Sequence, residues 1–252
     1  MMTTLQDQKV IVTGGSRGLG LGIVEALVEQ KARVTVVARN AAPLEQVSRR
    51  LGVHAIQGDI TDRELAAGLL REIRPSVLVL NAGATPVMGS LLDLTWAEFS
   101  GVWDVDVKAG LQWVQEALRL PLPRGSQVIL SSSGAALAGS PLSGGYAGAK
   151  RMLWMLASYA NTVSQRLNLD LRFKALIPQQ MIGETELGHS AASAYAAQKG
   201  ISVETFLDGF GARMPPRKVG EHVVSILTDP RHRTGVAFGI KGDHGIVSLD
   251  GN

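Results

Sequence analysis

The segment KVIVTGGSRGLG, residues 9–20, constrains the fold more than any other. Four of its first five residues are β-branched, which reads as a strand. Glycines follow at 14, 18 and 20, and a helical pattern occupies residues 18–30. In the order strand, turn, helix, such glycines let the backbone turn tightly and lie close to a pyrophosphate. The helix N-terminus then offers free N–H groups and its positive dipole end. A glycine-rich turn can also join a strand to a helix with no ligand at all, so the context decides.

The rest of the chain repeats that alternation. Strand patterns fall at 9–13, 33–38, 53–57, 76–80, 127–131, 169–177 and 236–240. Helical patterns fall at 18–30, from Thr95 onward, at 146–165 and at 219–227. Thr95-Trp-Ala-Glu98 has the spacing of a capping box. Strands alternating with helices imply a mostly parallel sheet covered on both faces, and right-handed crossovers make it a doubly wound α/β fold of seven strands. Residues 1–252 read as one domain. Residues 179–216 break the alternation with two helical pieces and five glycines, the length of a substrate lid.

Composition removes several function classes. With no cysteine there are no disulfides or thiolate metal sites, and His54, His189, His222, His232 and His244 show no ligand spacing. Net charge is +3 and the basic residues form no aromatic-interleaved run, so no nucleic-acid partner is expected. No apolar stretch reaches membrane-spanning length and the N-terminus carries no cleavage pattern, so a cytoplasmic protein is expected.

The second strand ends in Val37, Ala38, Arg39, Asn40. A nucleotide without a 2′-phosphate usually meets an acid here, and this chain has none. Arg39 and the loop residue Arg17 would instead suit the 2′-phosphate, which favours NADP(H) over NAD(H).

Two segments place a Tyr four residues before a Lys: Tyr146 with Lys150, and Tyr195 with Lys199. On a helix either pair sets an ammonium beside a phenol. A carbonyl accepting hydride at carbon needs a proton donor and hydrogen bonding at oxygen. A free phenol exchanges its proton poorly at neutral pH, and a nearby cation favours phenolate.

TGGSRGLG at 13–20, GDI at 58–60, NAG at 81–83, SSSGAAL at 131–137, YAGAK at 146–150 and KGDHG at 241–245 occur in one order along the chain. In that order the chain resembles the short-chain dehydrogenases/reductases, single-domain branch. The resemblance implies a Rossmann fold and selects Tyr146, which lies 13 residues after Ser133 and follows the fifth strand. It makes Tyr146 the general acid/base, Lys150 its activator and a ribose ligand, and Ser133 the carbonyl-polarising hydroxyl, with Ser131 and Ser132 as competitors. Tyr195 is then an ordinary exposed helix residue. The implied cofactor contacts are Gly14, Ser16, Arg17, Gly18, Leu19 and Gly20 in the loop and Arg39 and Asn40 after the second strand. Asp59 and Ile60 at the adenine, Asn81, Ala82 and Gly83 at the ribose, Tyr146 and Lys150, and Pro178 and Met181 towards the nicotinamide complete the set. Asp59 could equally be an accessory cap to a helix starting near Thr61. A homodimer or homotetramer is implied too, with the apolar stretch 151–160 as interface or as packing against the sheet.

Two positions depart from the family. Asp106, in DVDV, stands where the family has Asn in its proton relay, which places it in the catalytic set. A carboxylate only accepts, whereas an amide also donates. It either substitutes harmlessly or holds Lys150 too strongly. Gln179 and Gln180 follow Pro178 in place of glycine and reach either the substrate or solvent. The segments expected to line the substrate pocket, 84–88, 134–142 and 179–210, are small and apolar. They suit an uncharged ketone or secondary alcohol, with β-ketoacyl chains, sugars or polyols as alternatives. The rival reading is an NADP(H)-binding regulatory protein without turnover.

Overall fold

The computed structural model describes residues 4–120, 122–242 and 244–250. Asp243, within the KGDHG motif, lies outside the described residues. Eight strands form one sheet: β1 (Lys9–Thr13), β2 (Arg33–Ala38), β3 (His54–Gln57), β4 (Val77–Leu80), β5 (Gln127–Ser131), β6 (Arg172–Pro178), β7 (Ala237–Lys241) and β8 (Gly245–Ser248). Their order is β3-β2-β1-β4-β5-β6-β7-β8. All pairings are parallel except β7 with β8. The expected doubly wound sheet is therefore present with one strand more than the seven expected.

The helices are α1 (Gly18–Glu29), α2 (Ala41–Leu51), α3 (Arg63–Ile73), α4 (Trp96–Val102), α5 (Lys108–Arg119), α6 (Ala135–Ala138), α7 (Tyr146–Arg166), α8 (Glu186–Lys199), α9 (Val203–Asp208) and α10 (Pro216–Thr228). Strand alternation sorts the core into two layers. Ile11, Leu78, Leu80, Val128 and Leu130 face α3, α5 and α7 with Trp113 and Leu153. Val10, Val12, Val77, Val79 and Ile129 face α1, α2 and α10 with Ile23, Leu27 and Val223. Where α1 meets α10 the two backbones touch. A Cβ on Gly22 would come 2.1 Å from Pro216 O, and one on Gly220 would come 2.2 Å from Gly22 O.

Several boundaries shift by one to three residues, and two differences have a clear local cause. β6 starts at Arg172 and not at 169, because Asn168 and Asp170 take left-handed φ of 53° and 54°. The helix expected from Thr95 is interrupted. Thr95 does form both bonds of the capping box, but residues Trp103–Val107 widen into a π-turn between α4 and α5. Such a turn inserts an extra residue and swings side chains off the regular helical stripe.

Candidate functional site

Reversal of strand order between β1 and β4 opens a crevice at the carboxyl ends of the strands, where open α/β sheets bind ligands. A cleft of about 440 Å³ runs along it, from Ala38, Arg39 and Asn40 past the glycine loop to Ser133, Tyr146 and Lys150. Gly14 makes the first turn at φ 70°, and its N–H donates to Val37 O at 2.8 Å. A Cβ there would come 2.7 Å from Ala82 Cα. Gly18, at φ 53°, leaves bare backbone where a Cβ would reach towards Thr185 Cγ2 at 3.4 Å, narrowing the gap between loop and lid. These are the features of a phosphate cradle.

The neighbouring turn is pinned to this loop. Thr13 Oγ1 accepts from Asn81 N at 3.0 Å and Ala82 N at 3.2 Å. Ser131 Oγ donates to Asn81 Oδ1 at 3.3 Å. Asp59 borders the cleft and Thr61 N and Oγ1 both donate to its Oδ1 at 2.9 Å. Those two bonds, with Arg39 helping, hold its carboxyl below the usual carboxylate range. The cap of α3 is Asp62, which accepts from Glu64 N and Leu65 N.

Ser16, Arg17, Leu19, Ile60, Asn81, Ala82, Gly83, Pro178 and Met181 also border the cleft. Gly20 does not. It is buried beneath the loop, where a Cβ would come 2.2 Å from Gly14 O and 2.5 Å from Asn81 Nδ2. Its expected contact with the cofactor is replaced by close packing.

The three serines separate by their bonds. Ser131 is tied to Asn81, and Ser132 Oγ donates to the Lys150 carbonyl at 2.7 Å. Ser133 is half-buried and its Oγ accepts from Ala135 N at 3.2 Å, leaving the hydroxyl proton free of any protein acceptor in that bond. Tyr146 and Lys150 are buried one turn apart on α7, with the ammonium 5.5 Å from the phenol ring centre. Lys150 Nζ also donates to Ser131 O at 3.3 Å.

Asp106 does not line the cleft. The π-turn buries it at 2% exposure behind Gly83, where Oδ1 accepts from Ala84 N at 2.7 Å and Oδ2 lies 2.9 Å from Lys150 Nζ. It therefore touches no position open to substrate, which corrects its place in the catalytic set to a positioning one. Burial works against the Lys150 charge, but Asp106 and then Tyr146 outweigh it and raise the ammonium above the ordinary lysine value.

Gln179 and Gln180 differ in where they reach. The Gln179 side chain lies over β7 at Gly239. Gln180 borders the cleft but donates to Ala212 O and accepts from Gly242 N, both at 2.8 Å. Tyr195 is not an exposed helix residue either. It is half-buried, its hydroxyl lies 2.8 Å from Ser140 Oγ and accepts from Leu142 N at 3.3 Å, and it stacks on Phe206. Lys199 sits over Phe206 instead of beside the phenol.

The lid contributes residues that the sequence reading did not single out. Glu186, in the first turn of α8, pairs with Arg17 of the glycine loop. Leu187 packs on the cluster of Tyr146, Val102 and Ala149. Thr185 caps α8 by accepting from Gly188 N at 3.0 Å, and the Thr-x-x-Gly start after Gly183 was the available signal for a helix end at the cleft.

The short chain dehydrogenase family pattern matches residues 8–196, three quarters of the chain. The protein belongs to the short-chain dehydrogenases. Members of this family are NAD(P)-dependent oxidoreductases of small molecules, and the loop, turn and cleft described above fit such a dinucleotide. The chain is 31% identical over 122 residues to L-xylulose reductase of Homo sapiens, covering 48% of this chain and 50% of that one. It is 32% identical over 149 residues to galactitol 2-dehydrogenase of Rhizobium johnstonii, covering 54% and 58%. An uncharacterized oxidoreductase of Staphylococcus aureus is 24% identical over 239 residues, covering 92% and 95%. The chain thus spans about half the length of the first relatives it matches. Among the described residues no group of acids or histidines could hold a metal ion, and no helix is long and apolar enough to cross a membrane.

Proposed function

We propose that this dehydrogenase interconverts an uncharged carbonyl compound and its secondary alcohol with NADP(H). The observation that carries the reading is the meeting of Ser133, Tyr146 and Lys150 in one cleft with the glycine loop. A bound nicotinamide dinucleotide supplies or accepts the hydride. In reduction Tyr146 Oη gives its proton to the carbonyl oxygen, and in oxidation it takes one from the alcohol. Ser133 Oγ donates to that same oxygen and stabilises the charge gathering there. Lys150 holds a positive charge beside the phenol and bonds the ribose. Leu187 packs on the apolar cluster that holds Tyr146.

The preference for NADP(H) over NAD(H) is supported by Arg17 and Arg39 along one end of the cleft and by the absence of an acid at the end of β2. The Arg17–Glu186 pair is exposed on both sides and easily exchanged for a phosphate. Ala84 and Leu187 packed on the Tyr146 cluster, with Met181 and Ile182 elsewhere in the cleft, suit an uncharged substrate, and Glu184 and Glu186 disfavour an anionic one. One relative is named a reductase and another a dehydrogenase, which supports carbonyl–alcohol chemistry in either direction. Leu111 of α5 and Met155 and Tyr159 of α7 expose apolar surface, in keeping with a homodimer or homotetramer, and we place the protein in the cytoplasm.

A second reading, a dinucleotide-binding regulator with little turnover, draws on the pairing of Lys150 with a buried carboxylate. Following NADPH consumption against ketones, aldehydes and quinones separates the two, with NADH and Tyr146→Phe as controls. Turnover that falls about 100-fold or more in the variant supports the enzyme. Saturable NADPH binding with no turnover on any carbonyl supports the regulator.

A further inference from the structure

The ammonium beside the phenol is not a free charge. Asp106 Oδ2 lies 2.9 Å from Lys150 Nζ, and the Asp106 side chain has no exposed surface. The carboxylate cannot turn away, because Ala84 N donates to its other oxygen at 2.7 Å. Gly83 closes the arrangement. A Cβ there would come 2.7 Å from Oδ2, so the turn above the pair has room for glycine and little else.

Among the described residues no second cation contacts the Asp106–Lys150 pair. The acceptor from β5 is the neutral Ser131 carbonyl, and the turn after β4 offers Gly83 and Ala84. The charged groups elsewhere in the cleft are Arg17, Arg39, Asp59, Glu184 and Glu186. The charged or ionisable groups closest to the Lys150 ammonium are Asp106, at 2.9 Å, and Tyr146, whose ring centre lies at 5.5 Å. A single ammonium near a phenol stabilises phenolate, whereas a closely paired ammonium and carboxylate present almost no net charge a few ångströms away.

We propose that Asp106 is a positioning residue that withholds the Lys150 charge from Tyr146, so that phenolate forms only at higher pH than the lysine alone would allow. This rests on the assignment of Tyr146 as the proton-transfer group. Alcohol oxidation, which needs the phenolate, is thereby held back relative to carbonyl reduction.

The chain has three tyrosines, so phenolate can be followed by ultraviolet absorbance on the protein itself and assigned by subtracting the Tyr146→Phe form. The test compares wild type with Asp106→Asn, which keeps the shape and an acceptor for Ala84 N. Asp106→Ser serves if the amide form does not fold. The expected result is Tyr146 phenolate appearing at least about one pH unit lower in either variant, about tenfold more phenolate at a given pH. Phenolate appearing at the same pH or higher in the folded variants overturns the proposal. The pH profile of alcohol oxidation should move by the same amount. A shifted titration with no turnover in any form leaves the Asp106 proposal standing and removes the proposed enzyme. Turnover that depends on Tyr146 with an unmoved titration removes the Asp106 proposal alone.

Discussion

Replacing each of two tyrosines by phenylalanine should give results of different kinds, although both stand four residues before a lysine. Tyr195→Phe keeps the ring and its stacking on Phe206 at 5.9 Å, and removes only the hydroxyl. That hydroxyl bonds Ser140 Oγ at 2.8 Å and Leu142 N at 3.3 Å, joining α8 to the loop before α7. The second contact is long, and Ser140 retains access to solvent, so one ordinary neutral bond is lost, about 1 kcal/mol. Spread over a domain of this size that lowers Tm by roughly 2–4 °C. If all of it were felt in substrate binding, KM would rise about fivefold. Tyr146→Phe removes the group proposed to transfer the proton and should cost about 10²–10⁴-fold in kcat with little change in Tm. Steady-state kinetics and thermal melts on both variants measure these quantities. A Tyr195→Phe enzyme that loses more than about 100-fold in kcat, beside a Tyr146→Phe enzyme near wild type, would refute the reasoning and move the chemistry to the lid.

Three other outcomes are expected. Gly20→Ala forces a methyl to within 2.2 Å of Gly14 O, an overpacking of about 1–3 kcal/mol or more, visible as a Tm several degrees lower and weaker NADPH binding. Burial, with Arg172 adding to it, pushes buried Lys174 from 10.5 down to about 8, although Ile226 O and His232 O accept from its ammonium at 3.0 and 2.8 Å. The unfolded chain then binds the extra proton between those values. Stability should therefore rise from pH 8 towards 10.5, by about 3 kcal/mol at most, and urea midpoints of Lys174→Met should lack that rise. Glu186→Gln frees Arg17 from an exposed pair worth about 0–1 kcal/mol, so NADPH should bind up to about fivefold tighter at low salt, with NADH unchanged in titrations of both.

The sheet was legible because its buried strands are written in β-branched residues, as in KVIVT and RVTVVA. β8 was not, since GIVS is four residues long and half-exposed, and nothing in so short a run distinguishes a strand from a loop. Thr95 and Glu98 announced a helix start correctly, but the π-turn five residues later has no local signal. It follows from tertiary contacts such as the bond from Trp103 Nε1 to Gly145 O at 2.9 Å. The cleft-lining residues were readable where they belong to ordered motifs. Gly20 was misassigned because spacing alone does not say which glycine faces a ligand and which faces a neighbouring turn. Tyr195 was misjudged for a related reason: its partners, Ser140 and Leu142, lie more than fifty residues away. Asp106 could be flagged from sequence, but only the geometry shows that its two oxygens have separate tasks.

The backbone contact between α1 and α10 also sets what can change in a protein of this kind. α10 begins at Pro216, where the lid ends, and its first turn rests directly on the helix that opens from the phosphate cradle. Segment 179–215 is thus anchored at both ends, by Pro178 in the sheet and by Pro216 against α1, and between them by Ile182 and Met214 in the core. Exchanges between these two prolines can remodel substrate range, and those at Met181, Thr185 or Glu186 also reach the nucleotide seat. Mutations at Gly22 or Gly220, far from any substrate, would shift that seat itself. The α1–α10 contact thus bears on the nucleotide seat alone, while the segment between the prolines bears on both the substrate and, through Glu186, the nucleotide.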